Sequence, residues 1–206
     1  MSNHGTKTMN SNTFRMAPSA SLVSLLAATL AWGALAALPQ AAQAQSAQAS
    51  PSLYIQGSQA RQGTDALTIG ATLPWKGWQR PLWGGQLTGY WDLYASRWSY
   101  GGLSGQREHL SLVGLTPTLR LRMDEGRSAW FWEGGIGLTV ADKRYEIPNR
   151  TFSTRANFAS HLGLGVGLGE QRQHDLVLRV QHVSNAGIKK PNPGENFVQL
   201  RYGYHF

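Results

Sequence analysis

The stretch "HVSNAGIKKPNPGEN" places His182 two residues before Ser184 and brings a carboxylate, Glu195, back across a short loop. These are the residue types of acyl transfer. A serine hydroxyl is a weak nucleophile until a neutral imidazole accepts its proton. The imidazole in turn works best when a carboxylate fixes its tautomer and stabilises its charged form. Side chains i and i+2 of a strand are neighbours on one face, so His182 can reach Ser184. Glu195 opens the next strand and can return beside His182, although strict alternation turns it the other way and requires a bulge or an irregular loop end.

The elements that must position these residues are strands. In "ANFASHLGLGVGLG", Phe158, Leu162, Leu164, Val166 and Leu168 alternate with polar or very small residues. Such a strand has one greasy face and one cramped or polar face. Glycine on the second face suits the inside of a small barrel, with the bulky residues meeting lipid. The last segment repeats the pattern, with Val198, Leu200, Tyr202, Tyr204 and Phe206 sharing one face. Eight segments follow this rule, near 52–60, 64–74, 84–96, 109–122, 128–142, 155–168, 174–183 and 195–206. The connections 123–127 and 169–173 are short, and those at 97–108, 143–154 and 184–194 are longer. The pattern predicts an all-β fold, an eight-stranded antiparallel transmembrane β-barrel of the bacterial outer membrane, with both termini on the periplasmic side. Segment 75–83 reads as a connection, and Trp75, Trp78, Trp83, Trp98 and Trp130 as an interfacial girdle near strand ends.

Composition supports export and a closed sheet. Lys7 and Arg15 precede the apolar run Ser21 to Leu38, and Ala42-Gln43-Ala44 is a small-x-small cleavage pattern, which predicts a signal peptide over 1–44 and one barrel domain over 45–206. Cysteine is absent, which excludes disulfides and thiolate metal sites, while 24 glycines and 8 tryptophans accompany only 15% charged residues. The net charge of +8 is scattered without a basic stripe, so anionic lipid is the expected partner and nucleic acid is not. No histidine–carboxylate spacing suggests a metal site, and no cofactor is expected. Asp92, Glu133 and Arg179 fall on inward parity and are expected to pair inside the barrel.

Continuing by twos from Leu176, Leu178 and Val180 carries His182 and Ser184 onto the outer wall, at the level of the outer-leaflet headgroups. A site there meets lipid. The block His182 to Asn196 resembles the signature of the lipid A 3-O-deacylases, the PagL family of eight-stranded outer-membrane enzymes. That resemblance implies a serine esterase that hydrolyses the ester-linked 3-hydroxyacyl chain at position 3 of lipid A of lipopolysaccharide. It assigns Ser184 as nucleophile, His182 as base and then acid, and Glu195 as the residue that orients His182. Donors for the developing oxyanion are sought in the loop, with Asn192 and the Gly187 amide favoured. Lys189, Lys190, Arg144, Arg150 and Arg155 are candidates for lipid A phosphates, or solvated loop charges. A non-enzymatic structural or adhesive barrel and an outer-membrane phospholipase are the alternatives, and a homodimer is an open assembly.

Overall fold

The computed structural model describes residues 50–206, and the expected signal peptide lies outside them. Eight long strands close into a barrel: β1 (Ser52–Ala60), β2 (Asp65–Leu82), β3 (Gly85–Gly101), β4 (Arg107–Arg122), β5 (Trp130–Ala141), β8 (Ala156–Leu168), β9 (His174–Ser184) and β10 (Glu195–His205). A two-stranded hairpin, β6 (Glu146–Ile147) and β7 (Arg150–Thr151), sits in the connection between β5 and β8. The order around the barrel is β1-β10-β9-β8-β5-β4-β3-β2, every pairing antiparallel, so the first and last barrel strands seal the sheet and no edge is left open. The connections 61–64, 102–106, 142–155 and 185–194 share one end, the upper rim. The tight turns and both ends of the described chain share the lower rim.

The faces are inverted relative to a water-soluble sheet. Leu53, Ile69, Val113, Leu138, Leu162, Val180 and Val198 point outward and are exposed, whereas Arg120, Arg179, Glu133 and Asp92 are buried in the lumen. Lumenal glycine has a steric cause. A Cβ at Gly165 would overlap the Phe131 ring, and one at Gly114 would overlap Tyr94. The lumenal charges satisfy one another: Arg120 donates to Glu133 at 2.9 Å and to Asp175 at 2.7 Å, Arg201 donates to Asp92 at 2.9 Å, and Arg179 bridges Glu133 and Asp92. Each buried ion alone would cost several kcal/mol of desolvation, which mutual pairing offsets. Above this network the lumen turns apolar, filled by Trp98, Tyr100, Leu110, Tyr145, Phe152, Val183 and Phe197.

Three expectations require correction. Segment 75–83 is strand rather than loop: β2 runs to Leu82 and turns at Trp83-Gly84, both with positive φ. A register shift between Pro74 and Gln79 absorbs the glycine at position 77, which reads locally as a turn. The expected loop 97–108 shrinks to 102–106 because β3 and β4 pair up to Gly101↔Arg107. Trp98 leaves the girdle, since it points inward at 4% exposure and packs on Tyr145 and Phe197.

Candidate active site

Strand β9 carries the site because its alternation is unbroken to its upper end. Arg179 and Val183 face the lumen and are buried, while Val180, His182 and Ser184 face outward. His182 Nε2 lies 3.0 Å from Ser184 Oγ, the contact a serine nucleophile and its base require. The other ring nitrogen, Nδ1, lies 2.8 Å from Oδ1 of Asn196, which is directly opposite His182 in the β9–β10 register. With Nδ1–H donated to that oxygen, Nε2 is left unprotonated and faces the serine hydroxyl.

Glu195 does not reach His182. It pairs with Val183 and turns into the lumen at 2% exposure, as strict alternation requires, and no bulge intervenes. Its carboxylate accepts from the Tyr145 hydroxyl at 3.0 Å and from its neighbour's amide, Asn196 N–H, at 3.1 Å, with Arg150 at 3.5 Å. Burial raises the Tyr145 phenol well above its ordinary range, so it stays a neutral donor. Asn196 is the site residue that sequence reasoning missed. The signal was present, since extending the outward set Val198, Leu200, Tyr202 by one step reaches it.

The loop 185–194 is held by the neighbouring connection. Asn185, 3% exposed, donates through Nδ2 to Ser153 Oγ at 2.9 Å and to Lys189 O at 2.8 Å, and Ser153 Oγ donates to Lys189 O at 2.9 Å. Arg150 donates to Gly194 O at 2.8 Å. The Gly187 amide is already given to Asn185 Oδ1 at 3.0 Å, so it is not available to an oxyanion as expected. Asn192 accepts the Asn185 amide on its Oδ1 at 3.0 Å, which leaves its Nδ2 as a donor. Gly194, at φ +65, lies under the histidine: a Cβ there would come within 2.6 Å of His182 Cε1 and 3.5 Å of Ser184 Cβ. Among the candidate cations, Arg144 pairs with Glu146 at 3.1 Å and Arg155 donates to Asp142 O at 3.3 Å, while Lys189 and Lys190 are exposed at the loop tip.

Below the pair, the outer wall is indented by an apolar groove of about 1030 Å³ with His182 and Asn196 at its upper end. Its floor crosses the strands through Val180, Leu162, Gly134 and Leu119, each facing the next in register. The site therefore unites a hydrogen-bonded serine–histidine pair with a surface fit for hydrocarbon.

Comparison with known proteins places the chain in a family. The sequence model of the family described as lipid A 3-O-deacylase (PagL) matches residues 65–205. Lipid A deacylase PagL of Bordetella bronchiseptica is 35% identical over 132 residues, covering 61% of this chain and 70% of that protein. Its namesake from Pseudomonas aeruginosa is 29% identical over 143 residues, covering 68% and 79%. The crystal structure of the outer membrane enzyme PagL superposes with a TM-score of 0.63 at 22% identity, over 75% of this chain and 99% of that one, which establishes the shared barrel fold. This chain belongs to the lipid A 3-O-deacylase (PagL) family of outer-membrane β-barrels.

Proposed function

We propose that the protein removes the ester-linked 3-hydroxyacyl chain at position 3 of lipid A as a serine esterase, working from the outer wall of the barrel. The observation that carries this reading is the His182–Ser184 hydrogen bond at the upper end of an apolar groove, where an ester at the headgroup boundary meets the nucleophile while its chain stays among lipids. Ser184 Oγ attacks the ester carbonyl as His182 Nε2 takes its proton. The tetrahedral intermediate collapses with cleavage of the bond to the sugar oxygen, which receives the proton from His182. Water, deprotonated by the same nitrogen, then attacks the acyl-serine, releases the 3-hydroxy fatty acid and restores Ser184.

Asn196 serves as the third member in this scheme. Its amide oxygen holds the tautomer that leaves Nε2 basic and keeps the ring pointed at Ser184, without adding a charge at the lipid boundary. Asparagine fills the orienting position in cysteine–histidine–asparagine proteases as well. Glu195 acts behind the wall, tying β10 to the Tyr145 and Arg150 connection. Asn192 Nδ2 is the candidate oxyanion donor, its amide orientation set by the Asn185 N–H on Oδ1. Lys189 and Lys190 are placed to meet lipid A phosphates.

Mass spectrometry of lipid A from a Gram-negative host with and without the protein tests the assignment. Loss of one ester-linked 3-hydroxyacyl chain, with amide-linked chains intact, is expected. Unchanged lipid A beside newly formed lysophospholipid would favour the phospholipase instead.

A further inference from the structure

The groove on the outer wall is closed at its far end. Its register continues from Leu119 on β4 to Gly89 on β3, and above Gly89 stands the indole of Trp75. Trp75 reaches this position through the register shift between Pro74 and Gln79, which swings a segment of β2 out of its ladder. A Cβ at Gly89 would overlap the six-membered ring of Trp75, so the glycine is what lets the indole lie flat against the wall. Edge-on contacts with Trp78 at 5.4 Å and Trp91 at 5.6 Å hold it there.

Gly134 points to the same use of the groove. Lumenal glycines such as Gly114 and Gly165 are required by crowding, but Gly134 faces outward, and a Cβ on it would meet only ordinary contacts, at 3.4 Å from His161 O and 3.7 Å from Leu162 Cδ1. Packing does not demand a glycine there; an open channel does. The row Val180, Leu162, Gly134, Leu119, Gly89 runs from near the upper end of β9 to near the lower end of β3. It spans four strand spacings, roughly 19 Å. A hydrocarbon chain whose ester sits at Ser184, four residues above Val180 on β9, would descend past His182 into this row and bend with the wall toward the indole.

We propose that Trp75 is the stop of the acyl groove and sets the longest 3-hydroxyacyl chain the enzyme accepts, with Gly134 keeping the passage open. This rests on the outer-wall esterase reading above. The consequence is a length-selective enzyme whose selectivity is determined far from its nucleophile, by a residue on the opposite side of the groove.

The test uses the full-length protein in outer-membrane preparations, supplied with lipid A species that differ only in the length of the chain at position 3, and quantifies the released 3-hydroxy acid. Trp75→Ala is expected to raise the ratio of the rate on the longest chains to that on the shortest by roughly tenfold, the discrimination one or more methylenes provide in an apolar pocket. Gly134→Leu, which fills the passage, is expected to lower the same ratio. Should Trp75→Ala fail to close as a barrel, Trp75→Phe decides, with a smaller shift in the same direction. A folded, active Trp75 variant with the wild-type length profile would overturn the proposal and leave the esterase reading intact. Absence of released acid from the wild-type protein on every chain length would overturn both.

Discussion

Arg179 and His182 lie three residues apart on β9 and illustrate two uses of polarity in one strand. Arg179 faces the lumen at 2% exposure, with both Glu133 and Asp92 as ion-pair partners. His182 faces outward, exposed, between a serine and an asparagine. In the lumen Asp92, Glu133 and Asp175 are spent on Arg120, Arg179 and Arg201, which makes this part of the interior rigid and chemically silent. On the outer wall one serine proton has an acceptor and no other task. Location relative to the sheet, more than residue type, separates structural polarity from reactive polarity.

Substitutions on the two faces should therefore fail differently. The largest effect belongs to Ser184→Ala and His182→Ala, each expected to lower turnover by about four to six orders of magnitude in a barrel that still folds, because members of a catalytic unit fail together. Near-normal deacylation by folded Ser184→Ala would remove the nucleophile. Next comes Arg179→Leu, which leaves Glu133 and Asp92 short of a partner and should cost about 3–5 kcal/mol of stability. Denaturant titration of the refolded barrel measures this, and the turnover of the molecules that remain folded should be close to wild type. Gly194→Ala should lower turnover about a hundredfold by displacing His182, since small misplacements of a reacting group cost this much, and should cost about 1–2 kcal/mol of stability because position 194 has a positive φ.

Asn196→Ala should reduce turnover roughly tenfold, and Asn196→Asp should recover it. The pH profile gives the sharper reading. A carboxylate beside the ring favours the protonated imidazole, so the acid limb of the Asp variant should move to higher pH. Arg61, at the edge of the groove, is the remaining charged group in the groove lining, and Glu195 faces the other way. An unmoved acid limb would show that Asn196 does not act through His182. The smallest effect is expected from Tyr145→Phe, about 1–2 kcal/mol from the two hydrogen bonds its hydroxyl makes, to Glu195 and with Thr64. Because burial raises the Tyr145 phenol, its contribution is complete below the ordinary phenol range and falls only as pH rises above it, which alkaline unfolding would detect.

The barrel was largely legible from the period-two pattern, because each strand shows lipid one face and a crowded lumen the other. Glycine misled at β2: Gly77 and the adjoining proline and tryptophans read as a loop, whereas a bulge carries them within the strand. Trp98 misled for a related reason, since nearness to a strand end does not say which face a side chain takes. At the site, the spacing of His182 and Ser184 was sufficient to place both. The partner of the other ring nitrogen was missed because charge drew attention to Glu195, while parity pointed to Asn196 one residue on. The tie between loop 185–194 and residues 150–153 joins segments distant in sequence and left no local signal.

In the proposed mechanism Ser184 is a nucleophile open to the lipid side of the wall. A serine-directed phosphonate carrying a long alkyl chain, applied to outer-membrane preparations and followed by peptide mass mapping, tests it directly. A covalent adduct on Ser184 is expected, lost in His182→Ala and formed in parallel with inhibition of deacylation. Full inhibition with the adduct on another residue, or an active enzyme that never labels at Ser184, would contradict it.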